Sequence, residues 1–143
     1  MAAGQAGPFV GRLGCRFVPI ASYQTMGWLR AAVGVALLAA PVVPMRLLGR
    51  ETAPAEELLM RTIGIRDLVL GLGTVIAARG DGEANARSWA LAGLASDSLD
   101  ALASLISMPA IGKRDASVAA AMSLAFVGGD VLALQHETAV PAG

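Results

Sequence analysis

Two aspartates, Asp97 and Asp100, lie about one helical turn apart inside an apolar stretch that begins at Trp89 and ends at Met108. At helical spacing Gly93, Asp97, Asp100, Ser104 and Ser107 follow one another at steps of four, three, four and three. This puts both carboxylates on one narrow small-and-polar stripe, with Leu91, Leu94, Leu99, Leu102, Leu105 and Ile106 over the remaining surface. Carboxylates at membrane depth are costly, so they face a bundle interior and often mark function. Two acids sharing a dry site titrate as a pair, one holding a proton while its neighbour is ionised. General acid–base chemistry needs that division. A structural reading stands beside it: an acid paired with an arginine fixes helix register and does nothing more.

The second informative stretch is Arg61-Thr-Ile-Gly-Ile-Arg66-Asp67-Leu-Val-Leu-Gly71-Leu-Gly73-Thr74. Gly64, Asp67, Gly71, Thr74 and Ala78 form a small-and-polar stripe on it. Glycines at this spacing let helices approach closely in lipid. Arg66 sits about 100° from Asp67 around the helix, so the two need not face the same neighbour. Two further charges share this setting. Arg30 lies on a stripe with Gly27, Gly34, Leu37 and Pro41, and Asp130 on one with Ala116, Ala120, Ser123 and Val127.

The elements that must carry these side chains are apolar helices. Hydrophobic residues make up 55% of the 143-residue chain and charged ones 15%, and the mean hydropathy is +0.62. Soluble domains carry about a quarter charged residues. The pattern predicts an all-α, four-helix transmembrane up-down bundle, with helices over about residues 26–43, 55–78, 86–108 and 116–135. Residues 1–24 form an N-terminal arm rich in glycine, flexible or interfacial, residues 25–136 the membrane domain, and residues 137–143 a C-terminal tail. Eleven Lys/Arg balance eleven Asp/Glu, so no basic face is expected for nucleic acid. One cysteine, Cys15, and one histidine, His136, supply metal, haem or Cys-His chemistry poorly. No cofactor and no metal are expected. Gly71-Leu-Gly73 lacks the strand context of a nucleotide loop.

Counting about 1.5 Å per residue from the expected helix ends gives each charge a depth. Arg66, Asp67, Asp97 and Asp100 should share one level near mid-membrane. Arg30 and Asp130 each lie a turn or so from an end, and should form a separate pair nearer one surface, substrate-binding or structural, with the structural reading favoured. Charges at such depth are close to obliged to pair.

At Gly64-Ile-Arg66-Asp67-Leu, followed by the helix with Asp97 and Asp100, the chain resembles small four-helix integral membrane proteins common in actinomycetes, similar in outline to DoxX-like proteins. The resemblance covers about residues 26–135 and leaves the arm outside. It implies the four-helix fold and one site made of Arg66, Asp67, Asp97 and Asp100, and it brings no settled activity. A second resemblance is one of chemistry alone. Small membrane epoxide hydrolases and terpenoid cyclases place acids in a helical bundle, and limonene-type epoxide hydrolases use an Asp-Arg-Asp arrangement that Asp97, Arg66 and Asp100 could imitate.

The expected function is therefore an acid–base enzyme of the cell membrane, a hydrolase or cyclase of an epoxide or isoprenoid-like substrate. One of Asp97 and Asp100 would be proton donor or base, Arg66 would hold the other ionised, and Asp67 would orient Arg66 or a water. The competing class is a non-catalytic accessory subunit, or a carrier of protons or small solutes, with the same residues as ion pairs or a relay. The expected partners are the lipid bilayer and a lipophilic small molecule, with a homo-oligomer left open.

Overall fold

The structure, a computed structural model, describes residues 22–139. The arm with Cys15 falls outside the described residues, as do residues 140–143. Among the described residues every regular element is helical. Four are long: α1 (Tyr23–Ala39), α3 (Pro54–Ile76), α4 (Glu83–Ile106) and α6 (Lys113–Ala139). Two short helices, α2 (Val43–Leu47) and α5 (Met108–Ile111), sit in the connections at one end.

Local chemistry sets the helix boundaries. The Ser22 hydroxyl accepts a hydrogen bond from the Thr25 amide at 3.2 Å and caps α1. Ala40, ahead of Pro41, leaves the helical region at φ −139° and ψ 63°, as a residue before proline tends to. Pro54 occupies the first turn of α3, and Glu56 accepts from the Ala53 amide at 3.0 Å. Beyond Ile76 the chain widens into one π-helical turn, Ala77–Asp81. Gly82 at φ 90° then reverses it into α4, a conformation that favours glycine.

Helix α1 packs along α3, and α4 along α6. Glycine makes the first contact possible. A Cβ on Gly34 would stand 2.5 Å from the Leu68 amide nitrogen, and one on Gly71 2.5 Å from that of Ala31. Gly27 meets Gly71 and Val75 while Gly34 meets Gly64 and Leu68, so the two helices run antiparallel. The indole of Trp89 fills the space a side chain at Gly73 would take, and Met26 lies over Gly129.

Burial is inverted relative to a water-soluble domain. Among the described residues the buried apolar core is Tyr23, Met26, Val75 and a set of alanines, and Val75 is the largest side chain that is fully buried. Buried with them are Arg30, Asp67, Asp97 and Asp130. Outside, 21 large apolar residues are exposed among the described ones, including Leu29, Val35, Ile65, Val69, Leu99, Leu102 and Leu124. Two helices are long and apolar enough to cross a membrane, over Ala84–Ile106 and Lys113–His136, yet only 22% and 17% of their apolar windows are buried.

The helix bounds differ from expectation where it matters for the charges. α1 starts at Tyr23, three residues before the expected start, because Ser22 caps it, so the arm boundary at residue 24 falls inside a helix. α6 continues to Ala139, beyond the expected end at residue 135. α1 also stops at Ala39 rather than near residue 43, since Pro41 cannot continue it.

Candidate functional site

All four long helices contribute charge to one centre. Asp67 belongs to the stripe of α3 that faces α1, between Gly64 and Gly71, and close backbone approach there brings Arg30 against it. Arg30 Nη2 donates to Asp97 Oδ2 at 2.6 Å and to Asp130 Oδ2 at 2.7 Å. Its Nη1 lies 3.6 Å from Asp67 Oδ1. None of these four side chains is more than 6% exposed. The Phe126 ring covers the Arg30 guanidinium, with its centre 4.9 Å away. On α4, Gly93 gives the guanidinium room: a Cβ there would stand 3.1 Å from Arg30 Nη2 and from Asp130 Oδ2.

The centre extends outward through Arg66. Its Nε and Nη2 donate to Asp67 Oδ1 at 3.3 and 3.1 Å, and its Nη1 donates to Asp100 Oδ2. Nη2 also lies 3.6 Å from Asp97 Oδ1. This outer part is half-open: the Arg66 side chain is 29% exposed and that of Asp100 39%. Asp97 and Asp100 are thus divided between the interior and the rim. A step of three residues turns a helix by about 300°, so their directions differ by about 60°.

One expectation is corrected. Arg30 and Asp130 bond to each other, but they do not form a separate pair nearer a surface. Arg30 bridges Asp130 to Asp97 and lies beside Asp67, within the same layer. The helix ends explain it. With α1 starting at Tyr23 and α6 ending at Ala139, Arg30 lies seven residues from one end and Asp130 nine from the other. Arg30 is thus nearly two turns inside and Asp130 more than two, rather than one. The other four residues do come together, with Arg66 bonded to Asp67 and Asp100 and close to Asp97.

The charges are unevenly shared. The α1–α3 pair carries Arg30, Arg66 and Asp67, and the α4–α6 pair carries Asp97, Asp100 and Asp130. Both guanidiniums sit on one helix pair and three of the four carboxylates on the other. No group of three or more metal-ligating side chains occurs among the described residues. Gly71 and Gly73 lie in the interior of α3, where they serve packing.

Phe126 is the participant that charge and glycine spacing overlook. Its signal is present nonetheless: it is the one phenylalanine of the helical region, four residues before Asp130. Compared with known families, curated proteins and solved structures, the chain matches no family model, no curated protein and no solved structure.

Proposed function

We propose that the chain is a multi-pass protein of the cell membrane, a four-helix up-down bundle whose arginine–aspartate centre performs acid–base chemistry on a lipophilic small molecule. The observation that carries this reading is the inverted burial, together with the partial exposure of Arg66 and Asp100 at its rim. Water would drive large apolar side chains inward and keep unpaired charge outward. Here Arg30, Asp67, Asp97 and Asp130 are enclosed while leucines and isoleucines cover the outside. Hydrocarbon accepts that arrangement: helices associate through small residues, and charges turn inward and pair. The layer reaches the outside at Arg66 and Asp100, flanked on their helices by exposed Ile65, Val69, Leu99 and Leu102.

In this reading the inner four residues brace the bundle and the rim does the chemistry. A substrate arriving from lipid between α3 and α4 meets Asp100. Arg66 positions Asp100, and Asp67 positions Arg66. Four carboxyl groups facing two guanidiniums leave the centre able to hold protons as well as ion pairs. For an epoxide, Asp100 would deliver a proton to the oxygen as the C–O bond opens. Water, or an alkene of the same molecule, then bonds to the carbon, and the proton lost from the adduct returns to the Asp100 carboxylate. A non-catalytic reading, an accessory subunit or a proton or solute carrier, is favoured by the tight packing of Gly93 and Phe126 about Arg30.

The test is turnover of isoprenoid epoxides by detergent-purified protein, with products read by mass spectrometry. Turnover is expected in the wild type and should fall about a hundredfold or more in Asp100→Asn, the scale of a lost general acid or base. The variant should keep its gel-filtration profile, because Asp100 is half-exposed. A wild type that converts none of the substrates, or an Asp100→Asn variant with full activity, would remove the catalytic role.

A further inference from the structure

At the end of the molecule that holds α2 and α5, the chain leaving α2 folds back to start α3 and encloses a half-open cavity of about 360 Å³. Its lining is Val42, Arg46, Arg50, Glu51, Thr52 and Glu57, two cations and two anions around one small space. Arg50 is held in place as a wall. Its Nη1 bonds Asp115 at the start of α6, and its Nη2 lies 3.7 Å from Glu56 Oε1. Arg46 is exposed, and neither it nor Glu51 nor Glu57 makes an ion pair or hydrogen bond among the described side chains. The cavity therefore presents cationic donors and free carboxylates together. Immediately beside it on α2, Leu47 is 82% exposed and Val43 45% exposed.

We infer that this cavity binds the headgroup of a zwitterionic phospholipid bearing a primary ammonium, a phosphatidylethanolamine. The inference rests on the membrane reading, which places this end at the bilayer–water interface. Phosphate oxygens are matched by Arg46, Arg50 and the Thr52 hydroxyl, in charge-assisted hydrogen bonds. The ammonium, with three N–H donors, is matched by Glu51 and Glu57. Leu47 and Val43 then lie where the acyl chains descend. The pairing of charges selects the lipid. A phosphatidylglycerol has no ammonium for the glutamates, and a phosphatidylcholine has an ammonium without N–H groups.

The test is native mass spectrometry of detergent-purified full-length protein with equal amounts of short-chain phosphatidylethanolamine, phosphatidylcholine and phosphatidylglycerol. Ethanolamine-lipid adducts should exceed the other two by about fivefold, the worth of one good interfacial charge contact. Arg46→Gln should reduce adducts of phosphatidylethanolamine and phosphatidylglycerol alike. Glu57→Gln should reduce phosphatidylethanolamine alone and so erase the preference. Equal adducts from all three lipids, variants that change nothing, or free phosphoethanolamine binding as well as the lipid would each overturn the assignment. Carbonate washing of membranes separates this from the membrane reading. A protein released by carbonate defeats that reading, whereas one retained without lipid preference defeats only the headgroup site.

Discussion

Arg30→Gln is expected to abolish the folded protein in mild detergent, or to lower its unfolding midpoint more than any other single substitution in the centre. Among the described residues the guanidinium is the only group that ion-pairs with Asp97 and Asp130 together and also approaches Asp67. A glutamine amide cannot bridge three carboxylates and brings no charge. Removing one partner from a buried ionic network costs about 3–5 kcal/mol, because the remaining charges stay buried. Arg30→Lys should be intermediate: it keeps the charge but loses the second nitrogen of the planar fork, Nη1, which approaches Asp67. Arg66→Gln should cost less, since its side chain is 29% exposed and both Asp67 and Asp97 retain Arg30 nearby. Thermal unfolding followed by fluorescence-detected gel filtration ranks the three. An Arg30→Gln midpoint equal to that of the wild type would show that the network contributes no stability.

The second large effect is at the α1–α3 seam. Gly71→Ala places a methyl 2.5 Å from the Ala31 amide nitrogen and 2.6 Å from the Gly27 carbonyl oxygen, both backbone atoms that no rotamer change can move. Gly34→Ala meets the Leu68 amide and the Gly64 carbonyl in the same way. The helices would have to separate, which costs about 1–3 kcal/mol in a packed interface. The damage should reach the charged centre, because Asp67 and Arg30 lie on the same two stripes. Gly128→Ala is the matched control: nothing lies within 4 Å of its added methyl. There the gain in helix propensity, about 1 kcal/mol, should appear instead. Midpoints that fall equally for Gly71→Ala and Gly128→Ala would mean that close approach is not what the seam requires.

Much of this was readable from spacing. Gly64, Asp67, Gly71 and Thr74 recur at helical steps, and the structure buries all four. The same holds for Gly27, Arg30 and Gly34 on α1. What spacing could not supply was depth. Depth was counted from helix ends, and ends are decided by caps and prolines. Ser22 is a capping residue whose effect is to add three residues to α1, which sets Arg30 nearly a turn deeper than a helix starting at Met26 would. Nor does period alone distinguish a carboxylate in the interior from one at the rim. The contrast between Asp97 and Asp100 depends on how α4 is rotated against its neighbours, which arises from Trp89 seated over Gly73 and Gly93 under Arg30. Phe126 went unread for a related reason: an aromatic on an apolar helix looks like filler until a cation is placed over it.

The split of charge between the two helix pairs has a consequence for biosynthesis. In the proposed membrane reading, synthesis delivers α1 and α3 before α4 and α6, with Arg30 and Arg66 then sharing only Asp67 among the acids of the centre. That intermediate carries an unmatched positive charge in its interior, and nothing within it can neutralise the excess. The missing acids arrive only with α4 and α6. Asp97 and Asp100 come first with α4, and Asp130 follows with α6. In that reading the α1–α3 hairpin is poorly suited to lasting alone in lipid, and the arrival of α4 and α6 supplies the acids its guanidiniums lack.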